Sequence, residues 1–258
     1  MSTKARTNLF SEARLEETES LGIPGRALVI AAHPDDAEFG AGGTLAKWAD
    51  GGCEVSLLIA TDGSKGSWDP DQDPAELIEA RRDEARAAAE VLGARGELVF
   101  LDHVDGELIH SMALREELSL WIRRLRPDVV LSWDPWRRYM LHPDHREIGW
   151  GAVDGVVSAR DHLFFTHQLV DGLTKHRPEA ILLFAADESD YWEDITPTFD
   201  RKIDALLCHS SQTQSTMQDA LSSAEQREVF ADRIRQWAAQ LGEPVGMQLA
   251  EAFKLLRP

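Results

Sequence analysis

From residue 27 onward, short apolar runs alternate with helix-length segments, and that order leaves few folds open. Residues 27–32, 54–60, 98–101, 128–132 and 180–185 read as strands. Between them, helices are predicted over 39–50, 74–92, 112–125 and 143–159. The first is closed by Gly51-Gly52, and the second has Gly93 just past its end. The fourth starts at Pro143, whose missing N–H costs nothing at a first helical position. Strands joined through helices pair in parallel. The pattern therefore predicts an α/β, Rossmann-like fold: one domain with a mostly parallel sheet and helices on both faces. Further helices are predicted over 197–208, 224–241 and 245–256. Residues 1–25 read as a polar arm with a short helix at 11–21, so the domain spans 26–258.

Composition narrows the function. The chain has 258 residues, a net charge of −18 and two cysteines, Cys53 and Cys208, so no disulfide framework is expected. The arm lacks an apolar core of the secretory kind, and no apolar run approaches the roughly 18 residues that span a bilayer. A cytoplasmic protein without membrane association is expected. Acidity of this degree argues against nucleic acid, whose binding needs a basic face, and favours a neutral or cationic small molecule.

The chemistry concentrates where strands end. The run 28–32 stops at His33-Pro34-Asp35-Asp36-Ala37-Glu38, at the carboxyl end of a strand, where open α/β sheets place ligands. With Pro34 opening a helical turn, His33 and Asp36 point to one side and reach a common ion. Asp35 then sits beside the ion as a general base for its water. A second cluster, His142-Pro143-Asp144-His145, presents two histidines three residues apart across a first helical turn. One completes a three-ligand metal set and the other stays free for substrate; the spacing does not say which. Three protein ligands with an open position is the catalytic zinc pattern. Asp144 can orient a histidine through its ring N–H.

These residues resemble a known family. Ala31 to Glu38 is similar to the AHPDD(A)E signature of the LmbE-like, or PIG-L, zinc deacetylases, and residues 142–145 to their HPDH signature. Gly42-Gly43-Thr44, Thr61-Asp62-Gly63, Arg81 to Glu84 and Asp105 to Leu108 agree with it, so the likeness runs from about 27 to 214. It implies that His33, Asp36 and His145 hold one zinc per chain, with iron(II) as the other occupant. It also implies Asp35 as base and His142 as the group that steadies the oxyanion or protonates the leaving amine. Asp144 would orient a histidine, His142 by preference. The implied reaction is hydrolysis of an acetamide on an amino-sugar conjugate.

Around that centre, Arg81, Asp105, Tyr139 and His209 are the substrate-binding candidates. Residues 133–138, with Trp133, Trp136, Arg137 and Arg138, should border the cavity, which suggests a substrate larger than a monosaccharide. The loop 62–73, carrying Trp68, reads first as an ordinary surface loop, with a lid over the substrate as the other reading. Self-association into a homo-oligomer stays open, with the helices from Ala224 as the available face. The competing readings are an amidase on thiol-sugar conjugates, a two-histidine, one-carboxylate iron oxygenase, and an inactive sugar-binding module.

Overall fold

Alternate side chains along each central strand belong to different cores. In β1 (Arg26–Ala31), Ala27, Val29 and Ala31 join one buried cluster while Leu28 and Ile30 join another, because successive side chains point to opposite faces. The computed structural model describes residues 20–213, 217 and 223–258. The helix expected at 11–21 lies almost wholly outside them; Ser20 and Leu21 are not helical.

One face of the sheet is covered by α1 (Asp36–Asp50), α2 (Pro74–Leu92) and α5 (Phe199–Leu206). The other is covered by α3 (Met112–Leu125) and α4 (Pro143–Ala159). Ser111 caps α3 by accepting from Leu114 N, and Asp73 caps α2 by accepting from Ala75 N. A third core forms where α5 meets α6 (Ala224–Gly242), around Phe199, Phe230 and Ile234.

The remaining strands are β2 (Glu54–Thr61), β3 (Leu98–His103), β4 (Val129–Trp133), β5 (Ala180–Phe184), β6 (Tyr191–Asp194) and β7 (Ala250–Leu256). They form one sheet in the order β3-β2-β1-β4-β5-β7-β6. The first five are parallel, and β7 pairs antiparallel with both β5 and β6. Chain direction reverses its walk across the sheet between β1 and β4, which opens a crevice beyond their carboxyl ends.

The expected terminal helix over 245–256 is instead a single 3-10 turn followed by β7. Ala, Glu, Lys and Leu there favour helix locally. The open edge of β5 offers a full ladder of backbone partners and outweighs that preference, pairing Phe184 with Phe253. β6, only four residues long, had no legible signal. The predicted helix 197–208 splits into a 3-10 turn and the shorter α5.

Helix α1 lies unusually close to its neighbours. A Cβ on Gly40 would sit 2.7 Å from the Phe184 ring, and one on Gly43 would sit 2.6 Å from Ile195. In mid-helix the Gly43 and Thr44 N–H groups also reach the Glu251 carboxylate, at 3.0 and 2.8 Å. Lys202 Nζ donates to the same carboxylate at 2.5 Å and to Phe39 O at 2.8 Å. This buried clip ties α1, α5 and β7 together.

Candidate metal centre and active site

The chain leaves β1 through a tight turn. Asp36 N donates to His33 O at 3.3 Å, and Asp35 holds a left-handed backbone with φ 109°. The expected helical turn from Pro34 is thus a reverse turn, and α1 begins at Asp36. The outcome for His33 and Asp36 is nonetheless proximity. Asp36 Oδ2 accepts from the N–H groups of Ala32 and His33, both at 2.9 Å, and lies 3.6 Å from His33 Nδ1. A non-glycine residue at such a φ stores about 1–3 kcal/mol of strain, a cost typical of functional turns.

β4 delivers the second cluster. Across the crevice, His145 Nε2 lies 3.2 Å from His33 Nδ1 and 3.3 Å from Asp36 Oδ1. Trp133, the last residue of β4, stacks on the His145 ring with centroids 3.8 Å apart. Ligand atoms about 2.0–2.2 Å from a tetrahedral ion are roughly 3.3–3.6 Å from one another. The contacts of His145 are close to that spacing, while Asp36 meets His145 through Oδ1 and His33 through Oδ2; His33, Asp36 and His145 thus lie close enough together to be candidate ligands of one divalent ion. His142 brings a ring nitrogen within 4.8 Å of both histidines and stacks on His145.

The other face of His33 is committed elsewhere. Its Nε2 is 3.1 Å from Asp144 Oδ2 and 3.2 Å from Asp105 Oδ1. Two acceptors place the ring proton on Nε2 and leave Nδ1 for an ion. Asp144, fully buried, also accepts from Gly106 N at 2.7 Å and Leu108 N at 3.2 Å. The expectation that Asp144 orients His142 is therefore corrected: its partner is His33. The reason is the loop after β3, which comes back over the start of α4 and aims Asp144 inward. We expect Asp144→Asn to weaken metal affinity about 10–100-fold, read by competition with a chelating dye. Unchanged affinity would remove Asp144 from this role.

Charge follows from these contacts. Burial opposes a proton on His33, yet Asp105, Asp144 and Asp36 together hold its pKa well above the usual value. Burial also opposes ionisation of Asp36, Asp105 and Asp144, but the adjoining histidines keep all three below the ordinary carboxylate range. Asp35 behaves oppositely. Its burial outweighs the pull of Arg81 and His209 and raises its pKa to about 6. His142 is lowered by loss of solvation and by its two histidine neighbours.

The centre lies in a cavity of about 550 Å³ that His33, Asp35, Asp36, Asp105, His142 and His145 help to line. Arg81 also reaches it, but does not pair with Glu84. Arg81 is 3 % exposed and donates to Pro34 O at 2.6 Å and Gly63 O at 3.2 Å, with Asp35 Oδ2 at 3.6 Å. It therefore braces the Asp35 turn. Glu84 instead accepts from Ser210 Oγ, Ser211 N and Ser211 Oγ. Trp68 and Lys65 of the 62–73 loop line the cavity. Tyr139 does not: it is 92 % exposed, and its φ of 59° turns the loop away before His142. Trp136 is exposed and contacts Trp150. His209 is fully buried outside the cavity wall, 3.5 Å from Glu38. Sequence reasoning missed Trp237, a cavity residue far along the chain from both motifs.

Residues 28–156 match the family described as PIG-L: GlcNAc-PI de-N-acetylase. The chain is also 31% identical over 253 residues to a diacetylchitobiose deacetylase of Thermococcus kodakarensis, covering 98% of this chain and 91% of that protein. The chain belongs to the PIG-L family. Among solved structures, this PIG-L protein resembles the N,N'-diacetylchitobiose deacetylase from Pyrococcus horikoshii, with TM-score 0.82 and 31% identity. That match covers 91% of this chain and 84% of the other. The chain is 29% identical over 200 residues to a 4-oxalmesaconate hydratase of Pseudomonas putida, covering 72% of this chain and 73% of that protein. Relatives of a PIG-L chain thus carry out more than one reaction, and the site must decide between them.

Proposed function

We propose that this chain is a zinc-dependent hydrolase that removes the N-acetyl group from an amino-sugar conjugate of the N-acetylglucosaminyl type. The supporting observation is a buried carboxylate, Asp35, with a pKa raised to about 6, beside a cluster of His33, Asp36 and His145 close enough together to be ligands of one ion. The full-length similarity to a diacetylchitobiose deacetylase favours amide hydrolysis over hydration. It gives no support to an oxygenase or to an amidase on thiol conjugates. The presence of both Asp35 and His142 in the cavity speaks against an inactive binding module.

Zinc held by His33, Asp36 and His145 would supply Lewis-acid polarisation of the amide carbonyl and acidify the attacking water. Asp35 takes the proton of that water as it adds to the carbonyl carbon. A base with a pKa near 6 is ionised at neutral pH yet still basic enough to accept a proton and return it. His142, kept neutral by its surroundings, offers an N–H to the developing oxyanion. Protonated Asp35 then gives its proton to the departing nitrogen, and acetate and a free amine result. Asp105 and Arg81 hold His33 and the Asp35 turn in place while also facing substrate.

The substrate is a small molecule on this reading. No helix among the described residues is long and apolar enough to cross a membrane. The test is incubation of the zinc-loaded protein with N-acetylglucosamine glycosides, following amine release with an amine-reactive fluorophore and acetate enzymatically. Equal yields of amine and acetate, in the absence of oxygen, are expected. No amine from any N-acetylglucosamine glycoside would overturn the proposal.

A further inference from the structure

We propose that the catalytic cavity is flanked by a second subsite, formed by Arg137 and Trp237, that takes a ring-bearing aglycone carrying an anionic group. This inference deepens the deacetylase reading and rests on it. A recess of about 140 Å³ lies beside the catalytic cavity, between α6, β7 and the turn after β5. Arg137, Ala185 and Trp237 line both spaces and so form the divide between them. A substrate with its acetamide at the metal centre extends over these three residues.

Each of the three offers something to a ligand at this divide. Arg137 is exposed at the rim of both spaces, and its guanidinium makes no hydrogen bond or ion pair among the described residues. Its pull on Asp134 is through space, and the Asp134 carboxylate is occupied by the Trp136 N–H at 2.9 Å. Five N–H donors without an acceptor at a cavity wall suit a carboxylate or phosphate, which they can grip in bidentate fashion. The other charged groups of the recess are already satisfied. Lys202 and Glu251 pair with each other, and Asp187 accepts from Arg138 N at 2.8 Å and lies 3.8 Å from Arg138 Nε.

Trp237 is a large aromatic left 40 % exposed on α6. The Lys202 ammonium lies 5.8 Å from its ring centroid and helps to fix the indole at the recess. Such a face suits an aromatic or sugar ring. Ala185, between the two spaces, has a φ of 58°, a left-handed conformation that alanine adopts only at a cost. That turn brings the chain from the end of β5 to the lip of both spaces. Trp237 lies outside the stretch that matches the family, 28–156, and neither it nor Arg137 takes part in the hydrolytic step.

The net charge of −18 does not oppose this. Exposed charges more than about 8–10 Å away are largely screened at ordinary ionic strength, so the charges that matter are those of the recess itself, where Lys202 offsets Glu251 and Arg138 offsets Asp187, leaving the Arg137 guanidinium. The acidic exterior slows the approach of an anion without removing the recognition.

The probes are the 4-carboxyphenyl, phenyl and methyl glycosides of N-acetylglucosamine for turnover, and the matching glucosaminides for binding by calorimetry. The protein should prefer the carboxyphenyl over the phenyl compound by about tenfold in kcat/KM and in Kd. Arg137→Ala should bring that preference to near unity, and Arg137→Lys, which keeps the charge without the bidentate fork, should retain part of it. Trp237→Ala should erase the advantage of both aryl glycosides over the methyl glycoside. Equal handling of carboxyphenyl and phenyl compounds, or a preference that survives Arg137→Ala, would overturn the subsite. The two proposals fail separately. Binding preference without turnover would sink the deacetylase and leave the subsite, whereas turnover without preference would do the reverse.

Discussion

Replacing Asp35 with asparagine is expected to lower kcat by about 10²–10⁴-fold while the protein keeps its metal, because only proton transfer is removed. Asparagine has the same shape and tolerates the left-handed backbone that Asp35 adopts. Arg81 still has Pro34 O and Gly63 O to bind, so the turn should hold. The proposed metal ligands are untouched, since none of the contacts among His33, Asp36 and His145 passes through residue 35. What disappears is a buried group able to take a proton near neutral pH. Steady-state kinetics at saturating substrate, with metal content measured on the same sample, makes the comparison. A kcat within tenfold of the original, with metal retained, would mean that another group is the base.

Glu251→Ala is expected to destabilise the fold by about 3–5 kcal/mol, the usual effect of breaking a buried ion pair from one side. The Glu251 carboxylate accepts three donors at once: Gly43 N, Thr44 N and Lys202 Nζ. Its loss removes a shared acceptor from Gly43 N and Thr44 N and leaves a buried ammonium with Phe39 O as its remaining hydrogen-bond acceptor. Against a total stability of about 5–15 kcal/mol, that is a large fraction. At roughly 2–4 °C per kcal/mol for a chain of this size, Tm should fall by about 10 °C. Glu251→Gln, which keeps an acceptor oxygen but not the charge, should fall between. A Tm within about 2 °C in the alanine variant would show that α1 does not depend on the clip. Because α1 starts at Asp36, a proposed metal ligand, loss of activity on heating should track the same transition.

Most of the parallel sheet was legible because its code is local. Apolar runs, a glycine after a helix and a proline before one all act within a few residues, and α2, α3 and α4 begin and end where those signals place them. β7 was not legible, since its residues favour helix and only the exposed edge of β5 makes a strand of them. The candidate centre divides in the same way. His33, Asp35, Asp36, His142 and His145 announce themselves by type and spacing at strand ends, and the crevice between β1 and β4 brings them together. The partner of Asp144 could not be read. It depends on a loop from β3 folding across to α4, a contact between residues 38 positions apart. Arg81 reads in sequence as a substrate-binding residue, whereas Pro34 O and Gly63 O claim its guanidinium and make it a brace of the Asp35 turn. Tyr139 sits near His142 in sequence, yet a single left-handed residue carries it into solvent.

By itself, then, the order of residues determined the class of fold, the metal-binding residue types and the carboxylate beside them, since periodicity and short-range spacing encode these. Tertiary structure alone decided which histidine Asp144 serves, that Arg81 braces a turn, and that Trp237 faces the same cavity as His33. Those outcomes depend on which distant segments compete best for each buried donor and acceptor, and that competition is settled only when the whole chain has packed.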